Sequence, residues 1–168
     1  MFKSYLTIQY TLLCGLLLLL TACGFQLRGE VKLPEILQPI YVASQNADLL
    51  AAMTRLRLQE HAVAMTQTPE QAGLLLTLSQ ESQEERTFTV SALSGKLQEV
   101  ELHYRVALQV KDSNGKLWIP AETIHLQRTF AFDEQAVLAK YSERQVLIEE
   151  MRHDIVSQVL RRLSYLTE

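Results

Sequence analysis

The chain has few cysteines and few residues of the types that favour turns: two cysteines, six glycines and four prolines in 168 residues. Internal repeats and low-complexity segments are missing. The longest apolar run begins near Tyr10 and ends at Leu20. It covers roughly ten residues, whereas a helix that spans a bilayer needs about 20. These absences argue against a repeat array and a disulfide scaffold, and the apolar run is shorter than a helical membrane span requires.

An excess of basic charge is also missing. The formal net charge is −3, and residues 1–22 contribute only Lys3 to it. Without them the chain has 15 Lys and Arg against 19 Asp and Glu. A general nucleic-acid-binding protein presents a basic field, so we expect no nucleic-acid partner. Any binding to an anionic lipid must come from a local basic patch.

Motifs for catalysis are missing too. The sequence contains no nucleophile elbow, phosphate loop or zinc-protease helix motif. Glu99, Glu101 and His103 share one face of a predicted strand, and His125 could lie on its neighbour. Such a set could form a metal or acid–base cluster, but alternation places it opposite the core, where a solvated polar face is the usual outcome. We therefore predict no enzyme, no catalytic residue and no metal; an enzyme that uses Glu101 and His103 is the alternative.

The amino-terminal segment, in contrast, has a clear pattern. Lys3 precedes the apolar run, and the run ends in Leu20-Thr21-Ala22-Cys23. This layout is that of a secretory signal and resembles the lipobox of bacterial lipoproteins. The resemblance implies removal of residues 1–22, a diacylglyceryl group on the sulfur of Cys23 and an acyl chain on its new amino end, with no other cofactor. Gly24, where an aspartate would favour the inner membrane, implies the outer membrane; an ordinary signal peptide or an uncleaved anchor is the alternative.

The remaining 146 residues have the length of one domain. We expect an irregular segment that leads from the lipid anchor at residues 23–37, and a single folded domain at residues 38–168. Its first strand is expected at residues 39–43. Asn46 can then cap a helix that ends near Glu60. Its expected apolar stripe is Leu49, Met53 and Leu56.

Alternating residues predict the sheet. Leu74, Leu76 and Leu78 have strand spacing, whereas residues 80–86 are polar at both parities. We therefore expect an edge, a bulge or a strand that projects from the sheet in this segment. Phe88, Val90 and Ala92 should resume the even-numbered core face, ahead of a turn at Ser94-Gly95.

The next strand has apolar residues at every even position from Val100 to Val110. A three-residue loop, Ser113–Gly115, would keep apolar residues on one face, with Val110 opposite Trp118 and Tyr104 opposite Ile124. Gly115 would adopt the left-handed conformation. Pro120, which lacks an N–H, predicts an edge or a bulge. The strand should continue through Phe130 and Phe132.

After Asp133 the period becomes helical. Asp133 can cap a short helix ending near Lys140, and Ser142–Gln145 has the spacing of a capping box that can start or restart a long helix. The apolar stripe of that helix is Ile148, Met151, Ile155, Val159, Leu163 and Leu166. The predicted fold is a two-layer α+β sandwich, with two main helices on one face of a roughly four-stranded, largely antiparallel sheet.

Three stretches together resemble one family. Cys23-Gly24-Phe25-Gln26-Leu27-Arg28-Gly29 is similar to the mature start of the LPS-assembly lipoprotein LptE family. The final-helix stretches 136–140, 150–152 and 158–163 are similar to the last helix of that family, and Phe130–Asp133 also fits. The resemblance covers essentially the whole chain. It implies a lipoprotein on the periplasmic side of the outer membrane that plugs the LptD β-barrel one-to-one, assists its assembly and binds lipopolysaccharide.

The resemblance also implies a lipopolysaccharide contact at Lys140, since a lysine can pair with lipid A phosphates. The family has a second basic residue just before the hairpin glycine, but Leu93 occupies the matching position here. Lys96 could replace it, and Arg86 and Arg105 are further candidates for a basic patch. The alternative function is an accessory lipoprotein of general β-barrel assembly without a lipopolysaccharide role.

Overall fold

The computed structural model describes residues 37–90, 92, 97–131 and 137–166. The predicted signal segment, the predicted lead as far as residue 36 and the predicted turn at Ser94-Gly95 lie outside the described residues, as do Cys23 and residues 132–136. The predictions for Lys96, Phe132 and Asp133 therefore concern positions that the structure does not describe.

Two helices cover one face of a four-stranded sheet. The elements are β1 (Ile40–Gln45), α1 (Asp48–Glu60), β2 (Leu74–Val90), β3 (Leu97–Asp112), β4 (Leu117–Ala131) and α2 (Val137–Ser164). The strands lie in the order β1-β2-β3-β4; β1 is parallel to β2, and the other pairs are antiparallel. This confirms the predicted α+β class. Neither helix in the described part is long and apolar enough to cross a membrane.

The core lies between the sheet and the helices. Every even-numbered residue of β3 from Val100 to Val110 is buried, and so is the whole predicted stripe of α2. Burial of a large aliphatic side chain contributes about 1.5–3 kcal/mol, so these two elements supply much of the stabilisation. The two strongest periodic patterns in the sequence are thereby confirmed.

A bulge at Gln80 changes which residues of β2 face the helices. Gln80 has φ +55, and the β2–β3 register shifts between Ser79 and Ser82. Leu78 opposes Leu108 before the shift, and Gln83 opposes Tyr104 after it, so odd-numbered residues then face the helices. β1 ends beside Ser79, and among the described strands the rest of β2 is therefore an edge. The bulge and the edge agree with the prediction.

The predicted return of Phe88 and Val90 to the core face is wrong. Phe88 is 56% exposed and Val90 is 53% exposed. The reason is the phase change at Gln80, followed by further register shifts on either side of Thr89. Even parity therefore no longer denotes the core in this part of β2.

Helix α1 differs from the prediction at its start and in its buried face. Asn46 has φ +62 and precedes Ala47, the residue that flanks the helix; the N–H of Ala47 is bound by the side chain of Ser44. The buried residues are Leu50, Ala51, Thr54 and Leu58, whereas Leu49 and Leu56 are exposed. Thr54 tolerates full burial because its hydroxyl donates to the carbonyl of Leu50 at 2.7 Å. The predicted stripe differs from the buried face because α1 carries apolar residues on more than one side.

The β3–β4 hairpin has the predicted loop but a different register. Gly115 has φ +81, and the N–H of Asp112 bonds the carbonyl of Lys116 at 3.0 Å. Two one-residue shifts beside Pro120 then move the pairing, so Val110 opposes Ile119 and Tyr104 opposes Leu126. The shifts total two residues, and the apolar side chains therefore remain on one face. Pro120 lies at a bulge on the edge strand, as predicted.

Helix α2 is continuous from Val137 through Ser142 to Ser164. The predicted restart at residues 142–145 is therefore wrong. Its polar residues reach the sheet: Arg152 donates to the hydroxyl of Tyr104 at 3.3 Å, and Arg128 of β4 donates to Asp154 at 2.7 Å. Arg144 contacts Glu85 at the level of Leu102, and Arg162 contacts Glu122 at the level of Leu108. Helix α2 therefore runs along the sheet away from the end where β2 and β3 are connected.

Candidate functional site

The sheet face opposite the helices carries a cluster of charged and imidazole side chains, which we call the open-face cluster. It consists of Glu84 and Arg86 of β2, Glu101, His103 and Arg105 of β3, and His125 of β4. Strand pairing brings them together: Glu84 opposes His103, Arg86 opposes Glu101, and Arg105 opposes His125. The bulge at Gln80 is what turns Glu84 and Arg86 to this face.

Arg86 and Arg105 meet at one carboxylate. Arg86 donates to both oxygens of Glu84, from Nε at 3.1 Å and from Nη2 at 3.0 Å, and Arg105 Nη1 lies 3.4 Å from Glu84 Oε2. The hydrogen bonds from Arg86 lower the pKa of Glu84, and the carboxylate raises the pKa of Arg86. Two guanidinium groups share one carboxylate, so the trio has a net positive charge. The structure thus brings two of the predicted basic residues together.

His103 is the least exposed member of the cluster, at 6%. Its Nε2 lies 2.6 Å from Glu101 Oε2, its Nδ1 lies 2.9 Å from His125 Nε2, and the two rings stack with centroids 5.1 Å apart. The predicted neighbourhood of these three residues is confirmed, but the prediction that His103 is solvated is wrong. Its two ring nitrogens contact Glu101 and His125, so the neighbours of this nearly buried imidazole are both side chains of the cluster.

The electrostatics of His125 follow from its neighbours. Loss of hydration lowers the pKa of His125, and the positive charge of Arg105 lowers it further. Within the described ranges, no group of three or more His, Cys, Asp or Glu side chains is arranged to hold a metal ion.

The other face of the same sheet region carries two acidic residues, one of which contacts α2 and the other β3. Glu85 accepts a hydrogen bond from Arg144, and Glu81 accepts one from the hydroxyl of Tyr104. Lys140 belongs to α2, one helical turn before Arg144, and its backbone therefore lies toward the end where β2 and β3 are connected. Lys140 is thus on an element of the helix-covered face, whereas Arg86 and Arg105 are on the open face.

Glu84 is the residue that sequence reasoning missed. Its spacing of two from Arg86 is a signal that both face one way on a strand. That signal could not say which face, because the position of the bulge decides it. The structure therefore assigns Glu84 as the partner that joins Arg86 to Arg105.

These features define a class of protein: a small α+β sandwich that buries one sheet face under two helices and exposes a second, ion-paired face. The family model described as "LptE: Lipopolysaccharide-assembly" matches residues 37–163, and the chain belongs to this family. The family that the sequence resembles is thereby confirmed.

Curated relatives and solved structures agree with this family assignment. The chain is 31% identical over 160 residues to the LPS-assembly lipoprotein LptE of Pectobacterium atrosepticum, covering 92% of this chain and 84% of the relative. It is 34% identical over 159 residues to the protein of that name from Yersinia pestis strain Pestoides F, covering 91% and 74%. The solution structure of lipoprotein B from Nitrosomonas europaea superposes with a TM-score of 0.71 at 27% identity, covering 84% and 90%. The crystal structure of the rare lipoprotein B from Shewanella oneidensis shares the fold, with a TM-score of 0.65 at 24% identity and coverage of 74% and 92%.

Proposed function

We propose that the chain is an outer-membrane lipoprotein of lipopolysaccharide assembly, anchored on the periplasmic side by acyl chains on Cys23. In this role it plugs the LptD β-barrel one-to-one, assists the assembly of that barrel and binds lipopolysaccharide on its way to the surface. The observation that carries the proposal is the family match over residues 37–163, which spans nearly all of the described domain. Relatives that bear the name LPS-assembly lipoprotein LptE support it.

The open-face cluster is compatible with a plug. Barrel lumens are polar, so a domain that enters one needs a polar exterior. A buried charge is costly unless it is paired. Glu84 and Glu101 already have partners within the cluster. The face could therefore lie against a polar wall without leaving these two carboxylates unpaired.

We assign the lipopolysaccharide contact to the end of the domain where β2 and β3 are connected. Lys140 and Lys96 are the principal candidates, and Arg86 and Arg105 are secondary ones. Arg86 has both carboxylate oxygens of Glu84 as partners, whereas Arg105 has one contact at 3.4 Å. Arg105 is therefore the less fully paired of the two guanidinium groups, whereas Arg86 is the more exposed, at 52% against 35%.

The partner is tested by purifying the tagged, lipidated chain from gently solubilised outer membrane and identifying co-purified proteins by mass spectrometry. We expect a large barrel near one-to-one, together with lipopolysaccharide. A Cys23→Ser variant is expected to leave the membrane fraction. Recovery of a general assembly complex would favour the alternative role, and recovery of no barrel would overturn the proposal.

The lipid site is tested with purified lipopolysaccharide and the double variant Lys96→Asp/Lys140→Asp. We expect at least a tenfold loss of affinity, which corresponds to about 1.4 kcal/mol. The matched control is Lys111→Asp/Lys116→Asp, which changes the net charge equally at the β3–β4 hairpin, the opposite end of the sheet. Equal binding by parent and the first double variant would remove Lys140 and Lys96 from the site.

A further inference from the structure

The histidine pair in the open-face cluster forms an array whose hydrogen bonds depend on its proton count. Glu101 Oε2, His103 Nε2, His103 Nδ1 and His125 Nε2 form a continuous series, with an oxygen–nitrogen distance of 2.6 Å and a nitrogen–nitrogen distance of 2.9 Å. A carboxylate only accepts, so His103 Nε2 carries a hydrogen. His103 Nδ1 then accepts from His125 Nε2. This network assigns the neutral tautomers of both rings.

One additional proton is compatible with this arrangement. It can bind the second nitrogen of His125 while His125 Nε2 continues to donate to His103. The contact between His103 and Glu101 is also unchanged. The pair then carries a single positive charge that faces Glu101 on one side, and each hydrogen bond still has one hydrogen between its two heavy atoms.

A second proton is not compatible with the contact. His103 Nδ1 and His125 Nε2 would then both carry hydrogens and point at each other across 2.9 Å. Two positive rings would also lie stacked at 5.1 Å. Like charges at this distance disfavour the doubly charged state. Relief requires His125 to turn away, because His103 is buried and held by Glu101.

The groups around the pair do not cancel this effect. Arg105, next to the pair on β3 and opposite His125 on β4, adds positive charge. Arg86 and Glu84 of β2 form an ion pair with each other, and Glu101 is the carboxylate that contacts a ring directly. Helices α1 and α2 pack on the other face of the sheet. Among the described residues, the nearby positive charge therefore opposes double protonation.

We propose that Glu101, His103 and His125 form a proton-linked latch between β3 and β4, closed with at most one added proton and opened by a second. Opening releases His125 from His103 and adds positive charge to the open face. The inference rests on this geometry and does not depend on the proposed barrel or lipid partner.

The sign of the pH effect follows from the second proton, which opens the latch. The folded pair disfavours the doubly charged state, in which the charge of each ring opposes that of the other, and the pKa of His125 is lowered; the unfolded chain therefore takes up this proton more readily. The contribution to stability is fully present above the ordinary histidine value of about 6.5 and is lost as the pH falls below it. Acidification should therefore weaken the fold through this residue before most carboxylates titrate.

The test uses the full lipidated chain in detergent, with melting temperatures measured from about pH 7.5 to about pH 5. His125→Gln retains an N–H that can donate to His103 but cannot gain a proton. We expect the parent to lose about 3 °C more than this variant over the range. His153→Gln, which removes an exposed histidine on α2, should behave as the parent. Parallel losses in parent and His125→Gln would overturn the latch.

If the His125→Gln variant fails to fold, a second measurement on the parent tests the latch. Imidazole NMR signals of the parent are followed through the same pH range. The latch requires the imidazole pair to take up its two protons in two separated steps, with a shift of the β4 amide signals near His125 only in the second step. Independent one-step titration of the two rings, or β4 amides that do not move, would overturn it.

Discussion

Arg144 of α2 donates a hydrogen bond to Glu85 of β2 across the interface between helix and sheet. The contact exists because the bulge at Gln80 turns the odd residues that follow it toward the helices. Without that extra residue, Glu84 and Arg86 would face α2 and Glu85 would face the opposite side. One backbone irregularity thus sets both the ion pair under the helix and the composition of the open-face cluster.

The Glu85–Arg144 pair should show measurable coupling. Its side chains are about one-third and one-quarter exposed, so solvent screens the pair only partly. A double-mutant cycle with Glu85→Gln and Arg144→Met, followed by urea unfolding, should give about 0.5–1 kcal/mol. Arg57 and Glu60 on α1 form an exposed control pair, for which we expect about 0.2–0.5 kcal/mol. Equal coupling in both pairs would contradict a special role for the interface.

The end of α1 offers a stabilising substitution. Ala62 has φ +55, and its N–H and that of Val63 bond the carbonyls of Gln59 and Leu58 at 2.9 and 3.0 Å. This is a Schellman motif, whose left-handed position favours glycine. Ala62→Gly should raise the free energy of unfolding by about 0.5–1 kcal/mol, since relief of strain exceeds the entropy cost.

The control for this substitution is Ala52→Gly in the exposed interior of α1, which should lower the free energy of unfolding by about 1 kcal/mol. Thermal unfolding measures both variants. If Ala62→Gly destabilised the chain as much as Ala52→Gly, the conformation assigned to Ala62 would be refuted.

Tyr104 should make stability sensitive to alkali. Its hydroxyl donates to Glu81 and accepts from Arg152 Nε at 3.3 Å. Burial, together with the hydrogen bond to Glu81, raises its pKa to about 12. A phenol with a raised pKa stabilises the fold below its unfolded value of about 10, and this contribution is lost as the pH rises toward 12.

Tyr104→Phe should therefore cost about 1–2 kcal/mol near neutral pH, because a buried hydrogen-bond partner is removed. The difference from the parent should shrink between about pH 10 and pH 12. Denaturant unfolding at several pH values measures it, with Tyr165→Phe as a control on an exposed phenol. A difference that stays constant across this range would refute the assignment.

Asp112 organises the β3–β4 hairpin. Its carboxylate accepts from the N–H groups of Asn114 and Lys116 at 2.9 and 3.0 Å and from Trp118 Nε1 at 3.3 Å. Loss of hydration acts to raise its pKa, but the bonds from these groups outweigh it and lower the pKa overall. The stabilising effect is present above the usual aspartate value and is lost as the pH falls through the lowered pKa.

Asp112→Ala should lower the urea midpoint at neutral pH, and its difference from the parent should vanish in acid. Asp112→Asn keeps one acceptor oxygen, so its midpoint should lie between those of the parent and the alanine variant. A difference between Asp112→Ala and the parent that persists unchanged at low pH would show that the carboxylate charge is not involved.

Predictability from the sequence followed the strength of local periodicity. The alternation of β3 and the stripe of α2 are long and unambiguous, so their buried faces were predicted residue by residue. The prediction of the buried face of α1 is wrong because Leu49 and Leu56 form a second apolar stripe, which is as good in the sequence as the buried one around Leu50 and Leu58. Only packing against β1 and α2 selects between the two stripes.

The open-face cluster was partly predictable. Parity placed Glu101 and His103 together and suggested His125 beside them, but it could not show that His103 is buried. Burial depends on which side chains of β2 and β4 lie alongside, and hence on register. Likewise, the position of Gly115 predicts the length of the hairpin loop. The two register shifts beside Pro120 are not predicted, because they depend on the pairing of β4 with β3.

The sequence by itself determined the class of fold, the family and the polar character of the second sheet face, because these depend on composition, order and alternation along single elements. The tertiary structure alone decided that Glu84 joins Arg86 to Arg105, that Glu85 meets Arg144, and that His103 lies closed between Glu101 and His125. The physical reason is the bulge at Gln80 and the shifts beside Pro120. A one-residue change of register reverses the direction of each following side chain, and long-range strand pairing fixes where that change occurs.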